Sequence, residues 1–151
     1  MYSKDEKKEL VRDFWVEFDA YCNTIPKLAK RKSKFLLYNT KMKGVELKYD
    51  VWRTGVAVVL EINLRDYRKR MERYEQFEMY KVIVEEKYQP NTLIWNSNFE
   101  RESGVRVARI FVNKEGMDMH KRCDWPLFHE FMAKEMLKLE RAFIQLKELV
   151  E

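Results

Sequence analysis

Apolar side chains recur every three or four residues in three stretches of the chain, a period that predicts amphipathic helices. The first stretch covers residues 10–22 and follows a capping box formed by Ser3 and Glu6. The second covers residues 65–88. Because it contains no glycine or proline and Pro90 follows it, we expect one long helix there.

The third helical stretch begins after Asp124, which we expect to act as its N-cap with Pro126 in the first turn, and it continues nearly to the end of the chain. Glu135 falls within its apolar stripe, where a carboxylate needs either a basic partner or a path for its stem to water. Leu137 and Ile144 point away from that stripe. Since they could form half of a self-association seam, we expect a homodimer or a mixture of monomer and dimer.

Alternation of apolar and polar residues, the period of a β-strand, marks two hairpins. In the first hairpin the arms are residues 45–52 and 56–63, and Gly55 is expected to supply a positive φ in the turn. In the second hairpin the arms are residues 93–99 and 105–112. Since the returning arm of the first hairpin starts with residues that are apolar on both faces, we place it at the centre of the sheet.

With residues 35–38 as a shorter candidate strand, the predicted order is helix, three strands, helix, two strands and helix. This order indicates an α+β fold with a mostly antiparallel sheet of two hairpins and three main helices packed against it. The chain has 151 residues and shows no internal repeat and no linker. We therefore expect a single domain over residues 1–151.

Composition narrows the class of protein. The hydrophobic fraction is 46%, with only four glycines and three prolines, which excludes disordered and collagen-like classes. The longest apolar run is far too short to cross a bilayer, and the first residues lack the apolar core of a signal peptide. We expect a cytoplasmic protein with no membrane contact, in which Cys22 and Cys123 remain reduced thiols.

Positive charge is concentrated in one part of the chain. Residues 27–53 carry a net charge of +7, whereas the rest of the chain sums to −2. A local excess attracts phosphate groups, although a basic stretch is more often only a solvated loop. The bases expected to contact nucleic acid are Lys27, Lys30, Arg31, Lys32, Lys34, Lys41 and Lys43. Trp52 and Tyr38 offer surfaces on which bases could stack.

Familiar catalytic motifs are missing from the sequence. There is no glycine-rich phosphate loop, no Gly-x-Ser-x-Gly elbow and no His-Glu-x-x-His pair, so P-loop, hydrolase and zincin classes are unsupported. His120 and Cys123 have the spacing of a metal-binding pair, but no second pair accompanies them. We expect structural roles for these two residues and no zinc-type metal site.

One enzyme class does match the predicted order of elements, since restriction-type nucleases share the core order helix, three strands, helix and strand. Their sites use an Asp near a strand end and a following Glu-x-Lys, which hold Mg²⁺ beside a lysine that favours the attacking water. Here Asp50 precedes Glu61 and Asn63, with Glu17 available from the first helix. Asn63 replaces the lysine and carries no charge, although its carbonyl could ligate the metal. Alternatively, Glu61 simply ends a core strand and Asp50 faces solvent.

Four short pieces of sequence occur in a characteristic order. They are Asp13-Phe14-Trp15-Val16-Glu17-Phe18, Tyr38-Asn39-Thr40-Lys41-Met42-Lys43, the strand from Val56 to Ile62, and Asp124-Trp125-Pro126. In these pieces the chain resembles a bacterial family called domain of unknown function 4268. The resemblance implies a fold and a genomic neighbourhood rather than a reaction, because members occur alone or as the C-terminal part of proteins whose front half resembles restriction-type nucleases. If the family acts beside a nuclease domain, we expect this chain either to use one in trans or to have a different role.

The basic segment and the implied association with nucleases favour one hypothesis. We expect a non-enzymatic accessory module that binds nucleic acid weakly through residues 27–53, without a cofactor. The alternative is a degenerate nuclease of the restriction-endonuclease type that uses Mg²⁺, with Asp50 and Glu61 as ligands.

Overall fold

Helices packed against an antiparallel sheet make up the fold in a computed structural model that describes residues 2–29, 40–86, 88 and 93–151. In chain order the elements are α1 (Lys4–Cys22), α2 (Pro26–Ala29), β1 (Val45–Trp52), β2 (Gly55–Ile62), α3 (Tyr67–Glu78), α4 (Lys81–Glu86), β3 (Ile94–Glu100), β4 (Arg106–Glu115) and α5 (Trp125–Val150). The α+β fold class predicted from the sequence is confirmed. The candidate strand at residues 35–38 lies outside the described residues.

The strands follow the order β1-β2-β4-β3, and each neighbouring pair is antiparallel. Both predicted hairpins are confirmed, as is the central position of β2, in which all eight residues are buried. In the register of the sheet, Glu61 of β2 lies opposite Arg109 of β4 and opposite Glu46 of β1. These pairings bring side chains from three strands together on each face of the sheet.

Gly55 has a different role from the one predicted. Its φ is not positive, and the first hairpin turns at Arg53 and Thr54. A Cβ at Gly55 would lie 2.6 Å from the carbonyl oxygen of Lys114 in β4 and 2.8 Å from the ring of Trp52. Glycine is therefore needed here for the close approach of neighbouring strands and not for a left-handed backbone.

The single helix predicted over residues 65–88 is wrong, because α3 ends at Glu78 and α4 begins at Lys81. At the break the Tyr80 N–H donates to the carbonyl of Phe77, three residues back, which interrupts the helical ladder. The hydroxyl of Tyr80 donates to the carbonyl of Leu149 in α5 at 3.3 Å. This contact joins the turn to α5, and the apolar period gives no sign of it.

The described helices cover one face of the sheet. α3, α4 and α5 pack on that face in a core cluster with inward side chains of β1, β2 and β4, whereas α1 packs against α5 in a second cluster. Members of the second cluster include Leu10, Phe14, Phe18, Trp125, Phe128 and Met132. The hydroxyl oxygen of Ser3 accepts a hydrogen bond from the Glu6 N–H at 3.2 Å, so α1 begins where its cap predicts.

α5 confirms some of the sequence expectations and corrects others. Pro126 lies in its first turn, but the carboxylate of Asp124 does not cap the helix and accepts instead from the Asp118 N–H at 2.9 Å. Glu135 is buried, as its position in the apolar stripe predicts, and Lys138 is a basic partner at 3.5 Å. Leu137 is partly buried against the second cluster, so it does not face outward as predicted, whereas Ile144 is 49% exposed.

None of the helices in the described ranges is long and apolar enough to span a membrane. The predicted homodimer stays a prediction.

Candidate ligand-binding face of the sheet

The side of the sheet opposite the helical core carries an unusual set of charged groups. Because successive side chains of a strand point to opposite faces, Lys48, Asp50, Glu61 and Arg109 alternate with core positions and share this side. We call it the polar face. Charged side chains of three neighbouring strands, β1, β2 and β4, contact one another on this face.

Glu61 is the centre of the polar face. Its side chain is completely buried, yet its carboxylate contacts Lys48 Nζ at 2.9 Å, Arg109 Nε at 3.0 Å and a guanidinium nitrogen of Arg101. Burial by itself would raise the pKa of Glu61. The hydrogen bonds from Arg101 and Lys48, together with their charges, outweigh burial and hold the pKa below its ordinary value.

Arg109 joins Glu61 to a second carboxylate. Its Nη1 lies 3.0 Å from Asp50 Oδ2, while its Nε bonds Glu61, so one guanidinium links the two acids. The same guanidinium lies over the ring of Phe99, 4.0 Å from the centroid. Arg109 is thereby fixed in one orientation, and only 6% of its side chain is exposed.

A concavity of about 740 Å³ opens on the polar face. Three aromatic side chains line it, those of Trp52, Phe99 and Phe111, together with Arg101 and Arg109. All three rings are partly exposed, and Phe99 and Phe111 meet edge to face with centroids 6.3 Å apart. Since Arg109 already covers one face of Phe99, Trp52 and Phe111 offer most of the open flat surface. Such surfaces beside fixed guanidinium groups are suited to planar ligands.

The lining of this concavity has a net negative formal charge, because it holds only two arginines. Its lining also includes four acidic residues, of which Asp50 is bound by Arg109 and Glu100 lies 3.6 Å from Arg106. Glu102 and Glu115 complete the four. Aromatic surface, more than net charge, therefore distinguishes the site.

The four residues predicted for a nuclease site are only partly brought together. Asp50 and Glu61 meet around Arg109, but Glu17 on α1 lies 3.3 Å from Arg122 on the helical side of the sheet. Asn63 follows the end of β2, where its N–H donates to the carbonyl of Gly44, and it lines a different concavity. The sheet separates Glu17 from the two acids that share the polar face.

The groups present at Asp50 and Glu61 do not fit Mg²⁺. The two carboxylates already bind Lys48, Arg101 and Arg109, and these positive charges would repel a divalent cation. Within the described ranges, no group of three or more His, Cys, Asp or Glu side chains could hold a metal ion. Lys48, Arg101 and Arg109 instead form an ion-pair cluster with Glu61.

The residues predicted to contact nucleic acid are only partly described. Four of the bases, Lys30, Arg31, Lys32 and Lys34, and the aromatic Tyr38 lie outside the described residues. Lys27 on α2 is exposed, as are Lys41 and Lys43 before β1. Trp52, proposed as a stacking surface, does line the polar-face concavity.

Sequence reasoning missed Arg101, Arg109, Phe99 and Phe111. A signal for Arg109 exists, because it interrupts an otherwise apolar run from Val107 to Val112 at a position of the outward period. Its partner Glu61 interrupts β2 in the same way. Pairing them requires the register between β2 and β4, which the sequence does not state.

The comparison with protein families agrees with the resemblance found in the sequence. The family described as Domain of unknown function (DUF4268) matches residues 10–147, and the chain belongs to this family. No curated protein and no solved structure matches the chain. The match covers all the strands and most of α1 and α5, so it includes the whole polar face.

Proposed function

We propose that this protein is a non-enzymatic accessory module that binds single-stranded nucleic acid weakly on the polar face of its sheet. One observation carries the proposal: Trp52, Phe99 and Phe111 line the same concavity as Arg101 and Arg109. Exposed aromatic rings beside arginine are the usual means by which proteins hold unpaired bases. The accessory role, beside a nuclease supplied in trans, rests on the family resemblance.

The charges of the site do not support binding of a duplex. Binding to a duplex depends mainly on many phosphate contacts, and the concavity has two arginines against four acidic residues. A single strand exposes its bases, and each base stacked on an aromatic ring contributes about 1–3 kcal/mol. Stacking therefore supplies most of the affinity at the concavity.

The basic segment of residues 27–53 supplies the longer-range attraction. It carries a net charge of +7 and includes β1, which ends at Trp52. Charge of one sign close to a binding surface raises the rate of association with a polyanion, and this effect falls as salt rises. The basic segment thus attracts the nucleic acid, and the polar face contacts its bases.

Fluorescence anisotropy with labelled single- and double-stranded oligonucleotides at low salt tests the proposal. Substitution Trp52→Leu keeps an apolar side chain but removes the stacking surface, and we expect about 5- to 100-fold weaker binding of the single strand. Substitution Tyr67→Leu is the matched control, since Tyr67 is an exposed aromatic on α3 outside the concavity. Converting Arg31, Lys32 and Lys34 to Glu is expected to weaken binding as well.

Several outcomes would contradict the proposal. The protein could fail to bind single strands at low salt, or bind the duplex more tightly. Trp52→Leu and Tyr67→Leu could also lose the same amount of affinity.

The nuclease hypothesis is tested by incubating plasmid with Mg²⁺ or Mn²⁺ and comparing wild type with Asp50→Ala and Glu61→Gln. We expect no cleavage above background, and cleavage that depends on Asp50 would show the protein to be an enzyme.

A further inference from the structure

A second concavity, of about 480 Å³, lies where the start of β1 and the end of β2 meet the N-terminus of α3. Three of the residues that line it are basic: Lys43, Arg65 and Lys69. Asp66 is the one acidic residue of its lining, and the carboxylate of Asp66 accepts from the Arg68 N–H at 2.9 Å. Among the described residues, no carboxylate forms an ion pair with the three bases. The lining thus carries positive charge without a resident counter-ion.

The backbone holds the two loops of this concavity together. Gly44 has φ +75°, and a Cβ there would lie 2.5 Å from the side chain of Leu64. The Asn63 N–H donates to the Gly44 carbonyl at 2.7 Å. Because Gly44 allows this approach, Lys43 on one loop and Arg65 on the other are fixed on the same concavity.

A fourth cation lies against the same loop. Arg70 is only 5% exposed, and its Nη1 donates to the carbonyls of Leu64 at 2.9 Å and Arg65 at 3.3 Å. Its Nε has no hydrogen-bond partner, and within the described part of the chain no carboxylate pairs with the guanidinium. The guanidinium also lies over the ring of Tyr67, 5.6 Å from its centroid. Arg70 is not one of the residues that line the concavity, so it adds positive charge behind the loop without reaching a ligand there.

We propose that this concavity binds the phosphate group of a small phosphate compound. Several basic groups converge from two loops and a helix, which suits an anion with several acceptor oxygens. The N-terminus of α3 is already capped by the Asp66 carboxylate, so the attraction for an anion comes from the basic side chains. The volume holds a phosphate together with part of an attached group. This site is separate from the polar-face concavity and goes beyond the nucleic-acid binding proposed for that face.

Titration followed by amide NMR tests the site with inorganic phosphate, adenosine monophosphate and adenosine as probes. We expect saturable shifts for the two phosphates, centred on residues 43–44 and 63–70, and no binding of adenosine. Substitution Lys69→Gln removes one charge-assisted contact and is expected to weaken phosphate binding about tenfold. Arg68→Gln is the matched control, because Arg68 is an exposed neighbour on α3 that does not line the concavity.

The proposal fails if chloride at equal ionic strength produces the same shifts, or if Arg68→Gln weakens binding as much as Lys69→Gln. It also fails if only vesicles of anionic lipid bind and the soluble phosphates do not. Trp52→Leu is expected to leave the phosphate titration unchanged. The two sites can therefore succeed or fail independently.

Discussion

At the scale of single residues, Glu61 shows how a buried carboxylate is kept charged inside a sheet. Three cationic side chains surround it, and the resulting pKa lies below the ordinary value. A carboxyl group with a lowered folded pKa stabilises the fold above its unfolded pKa, and that contribution is lost as the pH falls through the folded pKa. Glu61 thus stabilises the protein at neutral pH and contributes to its acid denaturation.

Substitution Glu61→Ala is expected to lower the free energy of unfolding by about 3–5 kcal/mol, because it leaves buried cations without their counter-charge. Urea denaturation at neutral pH measures the change. Glu46→Ala is the matched control, since Glu46 lies opposite Glu61 on β1 but is exposed. We expect a change within about 0.5 kcal/mol for the control. Equal effects of the two substitutions would show that the ion cluster does not stabilise the fold.

His129 is the second residue whose ionisation is coupled to folding. It is 4% exposed, its Nε2 has no hydrogen-bond partner, and the rings of Phe14, Phe18, Tyr21 and Trp125 surround it. Burial lowers the pKa of His129 to about 4, only partly opposed by a hydrogen bond with the backbone of Phe14. The folded protein therefore holds this imidazole neutral where the unfolded chain protonates it.

A histidine with a lowered folded pKa destabilises the fold as the pH falls from its unfolded pKa toward its folded pKa. Between pH 7 and pH 5 this amounts to about 2 kcal/mol for His129. We expect the free energy of unfolding to fall less over that range in His129→Phe than in wild type, by this amount. Phe18→Leu is the control, because it changes the same aromatic cluster without removing a titratable group, and it should keep the wild-type slope. Identical slopes in all three proteins would rule out His129 as the source.

At the scale of elements, the hairpin of β1 and β2 depends on a close approach at Gly55. The β1–β2 pair ends at Gly55, and the Lys114 carbonyl oxygen of β4 lies 2.6 Å from the position that a Cβ would take. A backbone atom cannot move aside as a flexible side chain can. A larger residue at Gly55 would therefore displace β4 within the sheet, and this displacement would lower stability.

Substitution Gly55→Ala is expected to lower the free energy of unfolding by about 1–3 kcal/mol through this clash. Gly104→Ala separates the clash from backbone strain, because Gly104 has φ +89° and no atom within 4 Å of an added Cβ. We expect about 1–2 kcal/mol for this second change, from the left-handed backbone alone. Thermal unfolding gives the stabilities, and NMR shifts of β4 amides in Gly55→Ala show the displacement. Unchanged β4 amide shifts would contradict the clash.

At the scale of the whole molecule, association through the outward side of α5 stays a prediction, but its basis has changed. Leu137 packs against the second core cluster, so only Ile144 of the predicted pair is largely exposed. One exposed side chain contributes about 1.5–3 kcal/mol when buried, less than the cost of association. A dimer on this face therefore needs further contacts beyond Ile144.

We expect light scattering over a concentration series to show a dimer that Ile144→Glu weakens without changing the stability of the monomer. Leu137→Glu is expected to lower stability, because it places a charge at the edge of the core. Circular dichroism melting separates the two effects. A wild type that is monomeric throughout, or a dimer indifferent to Ile144→Glu, means that this side of α5 is not the interface.

The sequence predicted those features that depend on local chemistry. These features are the capping residue Ser3, the alternation of β1, the two-sided apolar run of β2 and the apolar stripe of α5. Each reflects a local requirement that a packed helix or strand must satisfy. They determined the α+β fold, the central strand and the buried position of Glu135. The order of four short pieces also identified the family.

Tertiary structure decided everything that depends on which elements meet. The contact of Tyr80 with α5 accompanies the break between α3 and α4, and the approach of β4 gives Gly55 its role. The register of β2 with β4 places Arg109 against Glu61, and so turns a candidate pair of metal ligands into an ion-pair cluster. A local period fixes the direction in which a side chain points, but its partner is set by long-range packing, and the chemistry of a charged group depends on that partner.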